Sequence, residues 1–393
     1  MEKQKICIVG GGLSGLVTAS ALSALNVEID LIMGKVNNYS LMSNRTTAIS
    51  HENFKFLKQL NICKFSRKEF WPCSHMQLYS MDEKKFTKIF QLNKENKEVL
   101  YMVDNFTLVN RILSSIKKKK SIKIKNKKQI SNILSNGFLK SVKFKNTSKI
   151  KDNTKYNLII LCTGNNLNLT NVFFENEFIN FPYQELSITT ILKHSSLKNN
   201  IARQIFLDDS IFAMLPISNN KTSIVWSVKK NLINKNINNN LFIKNKIKFY
   251  TKDFLKNIKF TSNIEFKDLK LFIRKKYFKD RILLFGDAIH QVHPLAGQGF
   301  NMILRDLKIL QNTLKNKINL GLDVGSSDIL LEFSRATKSQ NFTYSIGIDF
   351  LKNFFALKNK PIKNLRNKMI MNLNKNYIIK NIFFNIADKG FKF

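Results

Sequence analysis

The start of the chain shows three apolar stretches separated by short polar or glycine-rich segments. Residues 6–9 have the short apolar pattern of a buried strand, and residues 16–25 are apolar at helical spacing. Residues 27–33 form a second strand-like run. A glycine-rich turn joins the first strand to the helix. This order predicts one βαβ unit.

The pattern changes twice further along the chain. Residues 156–162 form an apolar run that ends in a Thr-Gly pair, which is typical of a buried parallel strand. Apolar and polar residues then alternate over several stretches from 183 to 270, which predicts an antiparallel sheet with one face in water. A buried strand returns at 281–287, and a helix-rich tail follows from residue 299. The first domain is therefore expected to be discontinuous in sequence.

The chain is strongly basic. Its 393 residues include 65 Lys and Arg against 27 Asp and Glu, a net charge of +38, while 44% of residues are hydrophobic. That apolar fraction supports a folded core and excludes a disordered polycation. Lysine occurs with Asn and Ile in tracts such as 234–240, the mixture that an AT-rich genome imposes on tolerant surface positions. No nucleic-acid-binding module accompanies the charge, so no specific nucleic-acid binding is expected, and anionic lipid or acidic proteins remain as partners.

Cysteine usage and hydropathy bear on the compartment. The four cysteines form neither a CxxC pair nor a disulfide-dense spacing, which predicts a cytoplasmic protein. They are Cys7, Cys63, Cys73 and Cys162. No stretch has the pattern of a secretory leader or approaches the roughly 20 apolar residues of a membrane-spanning helix. Any membrane contact is expected to be peripheral, on the inner face of the cytoplasmic membrane.

The first turn has the spacing Gly10-x-Gly12-x-x-Gly15 between a strand and a helix, which is where a dinucleotide-binding fingerprint lies. Such glycines permit the tight turn, the approach of backbone to a pyrophosphate, and close helix packing. The acidic residue that would bind the ribose is replaced by Met33, and Asp30 lies about 10 Å back along the strand. A dinucleotide site with a weakened ribose contact is predicted; the alternative is a glycine-rich turn without a ligand.

Residues 286–301 carry the stronger chemical signal. Gly286 and Asp287 end a buried strand, and a loop with Pro294 and Gly297 leads into a helix that starts near Gly299. The carboxylate can bind a polyol, and the glycines let backbone N–H groups approach a planar ligand. The N-terminus of the helix stabilises negative charge, such as the charge of a reduced flavin.

At these residues the chain resembles the FAD-dependent aromatic ring hydroxylases of ubiquinone biosynthesis, which belong to the flavoprotein monooxygenase class. The family signature HP-[LIV]-[AG]-GQG-x-N is matched from His293 to Asn301. Further similarities run along almost the whole chain. They lie at residues 45–50, 101–105, 202–206, 215–216 and 225–227, and at Arg335 and Asp349.

The resemblance implies an α/β fold with a Rossmann-like FAD-binding domain, an inserted antiparallel β-sheet substrate domain and a helical C-terminal tail. The expected FAD-binding parts are 1–172, with a substrate-side segment near 76–100, and 273–345; the substrate domain is 173–272 and the C-terminal helices are 346–393. The implied reaction uses NAD(P)H to reduce FAD, and O2 to hydroxylate the ring of a polyprenylated phenol or quinone precursor of ubiquinone.

Carried over residue by residue, the resemblance implies a set of cofactor contacts. Gly10, Gly12 and Gly15 would hold the pyrophosphate. Arg45 would contact a phosphate or ribose of FAD, unless it is an ordinary surface arginine, and Asp287 would bind the ribityl chain. The isoalloxazine loop would be formed by Pro294, Gly297, Gln298 and Gly299, with Gly286 and Asn301 completing the expected contacts. No catalytic acid or base is predicted, because the flavin carries the chemistry.

Two further positions depart from the family. Thr163 replaces the Asp of an Asp-Gly pair that the family associates with FAD and NAD(P)H, and Ile303 replaces a glycine. Together with Met33, these changes keep open a non-catalytic flavoprotein scaffold of a ubiquinone-biosynthesis complex, or a related flavoprotein acting on another apolar substrate. No metal site is predicted at His290 and His293, because the sequence shows no carboxylate or cysteine ligand near them.

The C-terminal region has two apolar stripes at helical spacing. They consist of Phe350, Leu351 and Phe354, and of Ile378, Ile379, Ile382, Phe383 and Ile386. The favoured interpretation is that both stripes face the core. The alternative is a basic amphipathic surface that rests on anionic lipid, from which an isoprenoid-tailed substrate enters.

Overall fold

The structure is a computed structural model of the chain. It describes residues 3–34, 43–62, 69–82, 85–145, 154–164, 167–174, 177–234 and 239–390. Cys63 lies outside these residues, whereas Cys7, Cys73 and Cys162 are buried free thiols. Every helix within the described residues is too short or too polar to cross a membrane.

The described residues contain twenty strands. They are β1 (Gln4–Val9), β2 (Val27–Ile32), β3 (Thr46–Ser50), β4 (Trp71–Cys73), β5 (His75–Asp82), β6 (Lys85–Asn93), β7 (Leu100–Asp104), β8 (Ile122–Lys125), β9 (Ile130–Asn136), β10 (Leu139–Phe144), β11 (Leu158–Leu161), β12 (Phe178–Lys193), β13 (Ile201–Phe206), β14 (Ser210–Ser218), β15 (Lys221–Lys229), β16 (Lys259–Phe260), β17 (Glu265–Arg274), β18 (Phe278–Lys279), β19 (Ile282–Leu284) and β20 (His290–Gln291).

The described residues also contain ten α-helices. They are α1 (Leu13–Leu22), α2 (His51–Gln59), α3 (Asn105–Lys117), α4 (Leu167–Phe174), α5 (Lys230–Asn234), α6 (Asn239–Thr251), α7 (Gln298–Asn319), α8 (Ser327–Phe355), α9 (Lys360–Leu373) and α10 (Tyr377–Lys389). Single 3-10 turns lie at Gly286–Ala288 and Leu295–Gly297.

The first sheet has the strand order β18-β19-β11-β1-β2-β8. All neighbours are parallel except β18, which runs antiparallel to β19. Its central strands are apolar on both faces because packed structure covers both; Ile8 pairs with Ile160, and Ile160 pairs with Leu283. The carboxyl ends of β1, β11 and β19 therefore lie side by side. In open sheets of this kind ligands bind at such an edge.

The second sheet has nine strands, eight of them in the order β20-β17-β12-β15-β14-β13-β5-β6, with β16 beside β12. Neighbours are antiparallel except β13 and β5, which are parallel. The alternation at 211–215 and 222–228 forms part of β14 and β15, as the pattern predicted. Residues 75–93 join this sheet although they precede four of the six strands of the first sheet in the chain. The predicted α/β fold with an inserted sheet and a helical tail is confirmed.

Helices α9 and α10 cover β6, the edge strand of the second sheet. Gln91 N donates to Asn374 Oδ1 at 3.0 Å. The ring of Phe383 meets that of Phe90 edge-on, with centroids 5.6 Å apart. Covering an edge in this way satisfies backbone groups that would otherwise pair with another chain.

The apolar stripes of the tail are only partly packed. Phe354 and Ile386 pack against a buried cluster of the second sheet. In contrast, Phe350 is 63% exposed, Ile378 68% and Ile382 52%. The favoured prediction of core-facing stripes is therefore wrong for these three side chains, because the neighbouring elements cover only part of each apolar helix face.

Candidate functional site

The turn after β1 is shaped by close backbone packing around one open position. A Cβ on Gly10 would lie 2.3 Å from the carbonyl oxygen of Cys162, and one on Gly15 would lie 2.0 Å from the carbonyl oxygen of Gly10. A Cβ on Gly12 would meet no atom within 4 Å. Gly12 is also the N-cap of α1, and no side chain caps it. The free N–H groups of the helix therefore begin at an open cleft, which suits an anion.

The second glycine turn lies against the first. A Cβ on Gly286 would lie 2.6 Å from the side chain of Ser14, inside the first turn. Gly297 has φ +66°, and a Cβ there would lie 2.7 Å from the Cβ of Ala48. Two motifs that are far apart in sequence thus border one cleft at the carboxyl edge of the first sheet.

Asp287 is an exposed carboxylate at this edge. Its Cβ lies 3.9 Å from the position that a Cβ on Gly164 would take, just beyond β11. Its backbone oxygen accepts from Gln291 Nε2 at 2.9 Å. Within the described residues its carboxylate has no hydrogen bond or ion pair, so both oxygens can accept from the hydroxyl groups of a ligand.

Arg45 and Lys267 line one cavity of about 190 Å³ together with Pro294 and Gly297. Neither the guanidinium nor the ammonium has a hydrogen bond or ion pair to the part of the chain that the structure describes. Burial lowers the pKa of Lys267, the charge of Arg45 lowers it further, and Asp287 acts in the opposite direction. Two cations that no carboxylate of the described residues pairs with make this end of the cavity suitable for an anionic ligand.

Sequence analysis missed Lys267. The signal that was available is the alternation in β17, which places residue 267 on the same face as Leu269, another lining residue of the cavity. A lysine on the face of a strand that also carries a cavity-lining Leu is a candidate ligand contact.

The second sheet supplies most of the remaining cavity wall, with Thr46 and Ala48 of β3 and Leu100 of β7, and this wall is mostly apolar. The apolar lining residues are Met76, Leu100, Ala202, Ala213, Leu215, Val225, Leu269 and Val292. Ser187, Thr189, Arg203 and Gln204 add polar groups. Thr189 Oγ1 is buried and has no hydrogen-bond partner among the described residues. The Arg203 guanidinium lies on the other face of β13, where it stacks on the ring of Phe254 at 5.3 Å. An apolar wall with an unsatisfied hydroxyl fits a flat apolar molecule that carries a polar substituent.

Asn301 is an internal anchor of the turn before α7. Its side chain accepts from Ser50 N at 2.9 Å and donates to the carbonyl oxygens of Ala48 at 2.9 Å and Gly297 at 3.1 Å. The residue is fully buried. In the structure this amide ties the turn to β3; direct contact with a cofactor stays a prediction.

Some neighbouring turn residues are likewise held by the protein, and others are open to a ligand. Gln298 Oε1 accepts from Tyr344 OH at 2.8 Å, so this side chain is also used by the protein. Pro294 lines the cavity. A Cβ on Gly299 would meet nothing within 4 Å, so its backbone is open to a ligand.

The strand end that lacks an acidic residue has a packed methionine instead. Met33 is buried, and a Cβ on Gly11 would lie 3.1 Å from its methyl carbon. Asp30 is also buried: its carboxylate accepts from Tyr156 OH at 2.7 Å and pairs with Lys125 Nζ at 3.1 Å. Asp30 therefore holds the first sheet together and offers no substitute for the missing ribose contact.

The other two departures differ in their surroundings. Thr163 Oγ1 is buried and has no hydrogen-bond partner among the described residues. Ile303 is 3% exposed, and its Cδ1 lies 3.7 Å from the position of a Cβ on Gly286, an ordinary van der Waals distance. Ile303 is accommodated without displacing the second turn, whereas Thr163 leaves a polar atom next to the cleft unsatisfied.

Both histidines of the second motif bind carboxylates that are distant in sequence. His290 Nε2 lies 2.9 Å from Asp306 Oδ2, and His293 Nε2 lies 3.3 Å from Glu185 Oε2. Sequence analysis found no carboxylate near them because the fold supplies both from other elements. The described residues contain no group of three side chains that could hold a metal ion.

The residues of the cleft fit FAD. Gly12 leaves the space that a Cβ would fill, at the N-terminus of a helix. The carboxylate of Asp287 borders the same strand edge, and Arg45 and Lys267, unpaired among the described residues, line the cavity with Pro294 and Gly297. An open helix terminus and two cations suit a diphosphate, and a free carboxylate suits a polyol chain. The backbone at Gly299, in the same turn, is open to a ligand.

Comparisons with known proteins agree with this geometry. The family model described as FAD binding domain matches residues 3–321. The ubiquinone biosynthesis monooxygenase COQ6 of Schizosaccharomyces pombe is 23% identical over 443 residues, covering 98% of this chain and 92% of that protein. The ubiquinone hydroxylase UbiL of Rhodospirillum rubrum is 28% identical over 186 residues, covering 46% of this chain and 42% of that protein.

Solved structures share the fold at low sequence identity. The p-nitrophenol 4-monooxygenase PnpA from Pseudomonas putida DLL-E4 has a TM-score of 0.79 at 14% identity, with all of both chains covered. Klebsiella pneumoniae HpxO, solved with FAD and uric acid, has a TM-score of 0.76 at 13% identity and covers 98% of this chain and 97% of its own. Because the family match spans most of the sequence, the chain belongs to the FAD binding domain family.

Proposed function

We propose that this protein is an FAD-dependent monooxygenase that hydroxylates the aromatic ring of a polyprenylated ubiquinone precursor, with NAD(P)H and O2 as co-substrates. The observation that carries the proposal is the contact between the two glycine turns, with Gly286 packed on Ser14. That contact brings the open helix terminus at Gly12 next to the motif whose Pro294 and Gly297 line the cavity. The similarity to COQ6 and UbiL supports the choice of substrate.

On the cofactor side, the chain's task is to bind and orient. The N–H groups at Gly12, together with Arg45 and Lys267, neutralise the diphosphate, and Asp287 accepts from the ribityl hydroxyls. The turn from Pro294 to Gly299 then borders the flavin ring. Bound FAD supplies electron transfer from NAD(P)H and the activation of O2.

On the substrate side, the second sheet orients the ring and excludes water. Its apolar wall holds the ring, while the buried Thr189 hydroxyl offers a hydrogen bond to an oxygen substituent. Thr189 therefore orients a phenol through its oxygen.

The test is chemical. Purified protein reconstituted with FAD should show the visible absorption of a bound flavin and should oxidise NADH or NADPH faster when a prenylated phenol is present. Mass spectrometry of the product formed under ¹⁸O2 should show one added ¹⁸O atom. Full NAD(P)H oxidation with no labelled product from any prenylated phenol would refute this substrate class.

A second candidate is a flavoprotein scaffold without turnover. It is favoured by Thr163, whose hydroxyl replaces a family carboxylate beside the cleft, and by the apolar Met33 at the ribose position. A bound flavin that neither nicotinamide reduces would support the scaffold. Rapid reduction of the flavin by either nicotinamide would exclude it.

We also propose that the tail rests on an anionic membrane, on the inner face of the cytoplasmic membrane. Its exposed apolar side chains include Phe350, Leu365, Ile378 and Ile382. Exposed lysines such as Lys368 accompany them, and the chain as a whole carries +38. Apolar burial in the headgroup region and attraction to anionic lipid act together in such surfaces. The cytoplasmic location expected from the sequence stays a prediction.

A further inference from the structure

Three side chains beside the turn have no part in the function proposed above. Glu185 comes from β12, His293 directly precedes the turn, and Lys352 comes from α8. The Glu185 side chain is 11% exposed. Its carboxylate lies 3.3 Å from His293 Nε2 through Oε2 and 2.9 Å from Lys352 Nζ through Oε1. These three side chains are called the Glu185 clamp below.

The backbone of β12 is irregular at this point. The pairing of β12 with β17 shifts register between Pro182 and Glu185. Gln184 between them has φ +55°, a conformation that non-glycine residues seldom adopt. Bulges of this kind re-aim side chains and are frequent next to functional sites. Here the bulge leaves Tyr183 and Glu185 buried on either side of the exposed Gln184.

The contacts fix the charges of the clamp. Burial raises the pKa of Glu185, but the bonds to His293 and Lys352 outweigh burial and leave the pKa below its ordinary value. Burial lowers the pKa of His293, and Glu185 only partly offsets that effect. At neutral pH Glu185 is therefore an anion, paired with the Lys352 ammonium. His293 is neutral and donates to the carboxylate through Nε2–H.

The clamp holds one end of the turn. The carbonyl oxygen of His293 accepts from Leu295 N at 2.7 Å, and Pro294 and Gly297 line the cavity. Asn301 holds the other end through the carbonyl oxygen of Gly297. We propose that the Glu185 clamp positions this turn against FAD, and thereby makes FAD binding depend on the docking of α8. The inference rests on the proposed placement of FAD along the turn.

Loss of Lys352 would leave the Glu185 carboxylate buried with one neutral partner. Asp349 of α8 adds a negative charge near His293, and the Tyr183 phenol lies on the same side. A cavity of about 50 Å³ connects Glu185 and Lys352 with Asp208, Asp209 and Lys229. These surroundings do not replace the lost ammonium within bonding distance, so the carboxyl would take up a proton more readily.

The test measures the dissociation constant of FAD from about pH 5.5 to about pH 8 in Lys352→Met. Below its raised pKa, Glu185 is neutral and the turn keeps its position; above it, the uncompensated charge displaces the turn. The constant of the variant should therefore rise about tenfold across this range, whereas that of the wild type changes less than about twofold. The visible circular dichroism of the bound flavin should change over the same interval. In Lys352→Met with Glu185→Gln, which buries no charge, both pH dependences should disappear.

Lys317→Met is the matched control, because Lys317 forms an exposed pair with Glu332 at 2.8 Å between α7 and α8. The FAD dissociation constant of Lys317→Met should have the same pH dependence as that of the wild type. A flat profile in Lys352→Met, or an equally steep one in the double variant, would overturn the inference. Absence of FAD binding in the wild type would overturn the proposed function itself. If Lys352→Met does not fold, ¹⁵N spectra of histidine-labelled wild type decide: neutral His293 with its proton on Nε2 is expected, and a cationic ring at neutral pH refutes the clamp.

Discussion

Replacement of Lys267 by Met tests the electrostatics of the cofactor site directly. Met keeps the length of the side chain, so the cavity wall is preserved and one charge is removed. A hydrogen bond to a charged group is worth about 1.5–3 kcal/mol, and the solvent access of Lys267 favours the lower end of that range. The dissociation constant of FAD should therefore rise about tenfold. Its dependence on salt should become weaker, because one ionic contact is lost.

Fluorescence titration of the apoprotein measures this constant. ADP, which has the diphosphate without the flavin ring, serves as a competing probe. Its dissociation constant should rise by a similar factor. Lys270→Met is the matched control, since Lys270 lies on the same strand, stacks on the ring of Phe272 at 5.0 Å and does not line the cavity. Equal FAD affinity in wild type and Lys267→Met would refute the reasoning. Weaker FAD with unchanged ADP would place Lys267 at the ring instead of the diphosphate.

The same lysine predicts a pH dependence with a definite sign. Its ammonium is charged below its pKa, so FAD affinity should fall as pH rises through that pKa. Burial and Arg45 lower the pKa of Lys267, so the fall should begin below the ordinary lysine value of about 10.4. Lys267→Met should lack this component of the profile. An identical alkaline profile in both proteins would contradict the assignment.

Four further outcomes are expected. Gly10→Ala should prevent folding because its Cβ would lie 2.3 Å from a carbonyl oxygen. Gly12→Ala, where a Cβ meets no atom within 4 Å, should keep the melting temperature and raise the dissociation constant of FAD. An equal fall in melting temperature in both variants would contradict this contrast. Asn301→Ala should lower the free energy of unfolding in urea by about 2–4 kcal/mol through its lost buried hydrogen bonds, and a loss below about 1 kcal/mol would argue against the anchor. Thr189→Val should raise the KM for a phenolic substrate about fivefold at unchanged FAD affinity; weaker FAD would move Thr189 to the cofactor side. Ile378→Asp should reduce sedimentation with phosphatidylglycerol vesicles without changing FAD affinity, and unchanged sedimentation would count against the tail surface.

The sequence predicted the elements of the cleft because their signals are local. The strand, glycine turn and helix around Gly12 and the strand that ends at Gly286 are readable from short windows of apolar spacing. The same holds for the alternating strands β14 and β15. Each of these segments carries its own pattern, so a βαβ unit and an antiparallel sheet could be predicted without knowing how they meet.

The groups that tune the site depend on contacts across the chain. Glu185 and His293 are 108 positions apart and meet only through a bulge in β12. Lys267 can be assigned to the site only because the folded second sheet places it in the same cavity as Arg45. The tail stripes were misread in part because helical periodicity shows that a face is apolar and does not show what covers it. Burial of that kind is set by tertiary packing.

The parallel pairing of β13 with β5 has a consequence for synthesis. The hairpin of β5 and β6 leaves the ribosome about 110 residues before β13 does, so the nascent chain carries an unpaired strand edge for that interval. A chaperone, or early collapse onto neighbouring apolar segments, has to shield this edge from other chains. For the same reason, a fragment made of residues 177–274 would lack β5 and β6 of the second sheet. A stable fragment would have to include residues 75–93 as a separate piece.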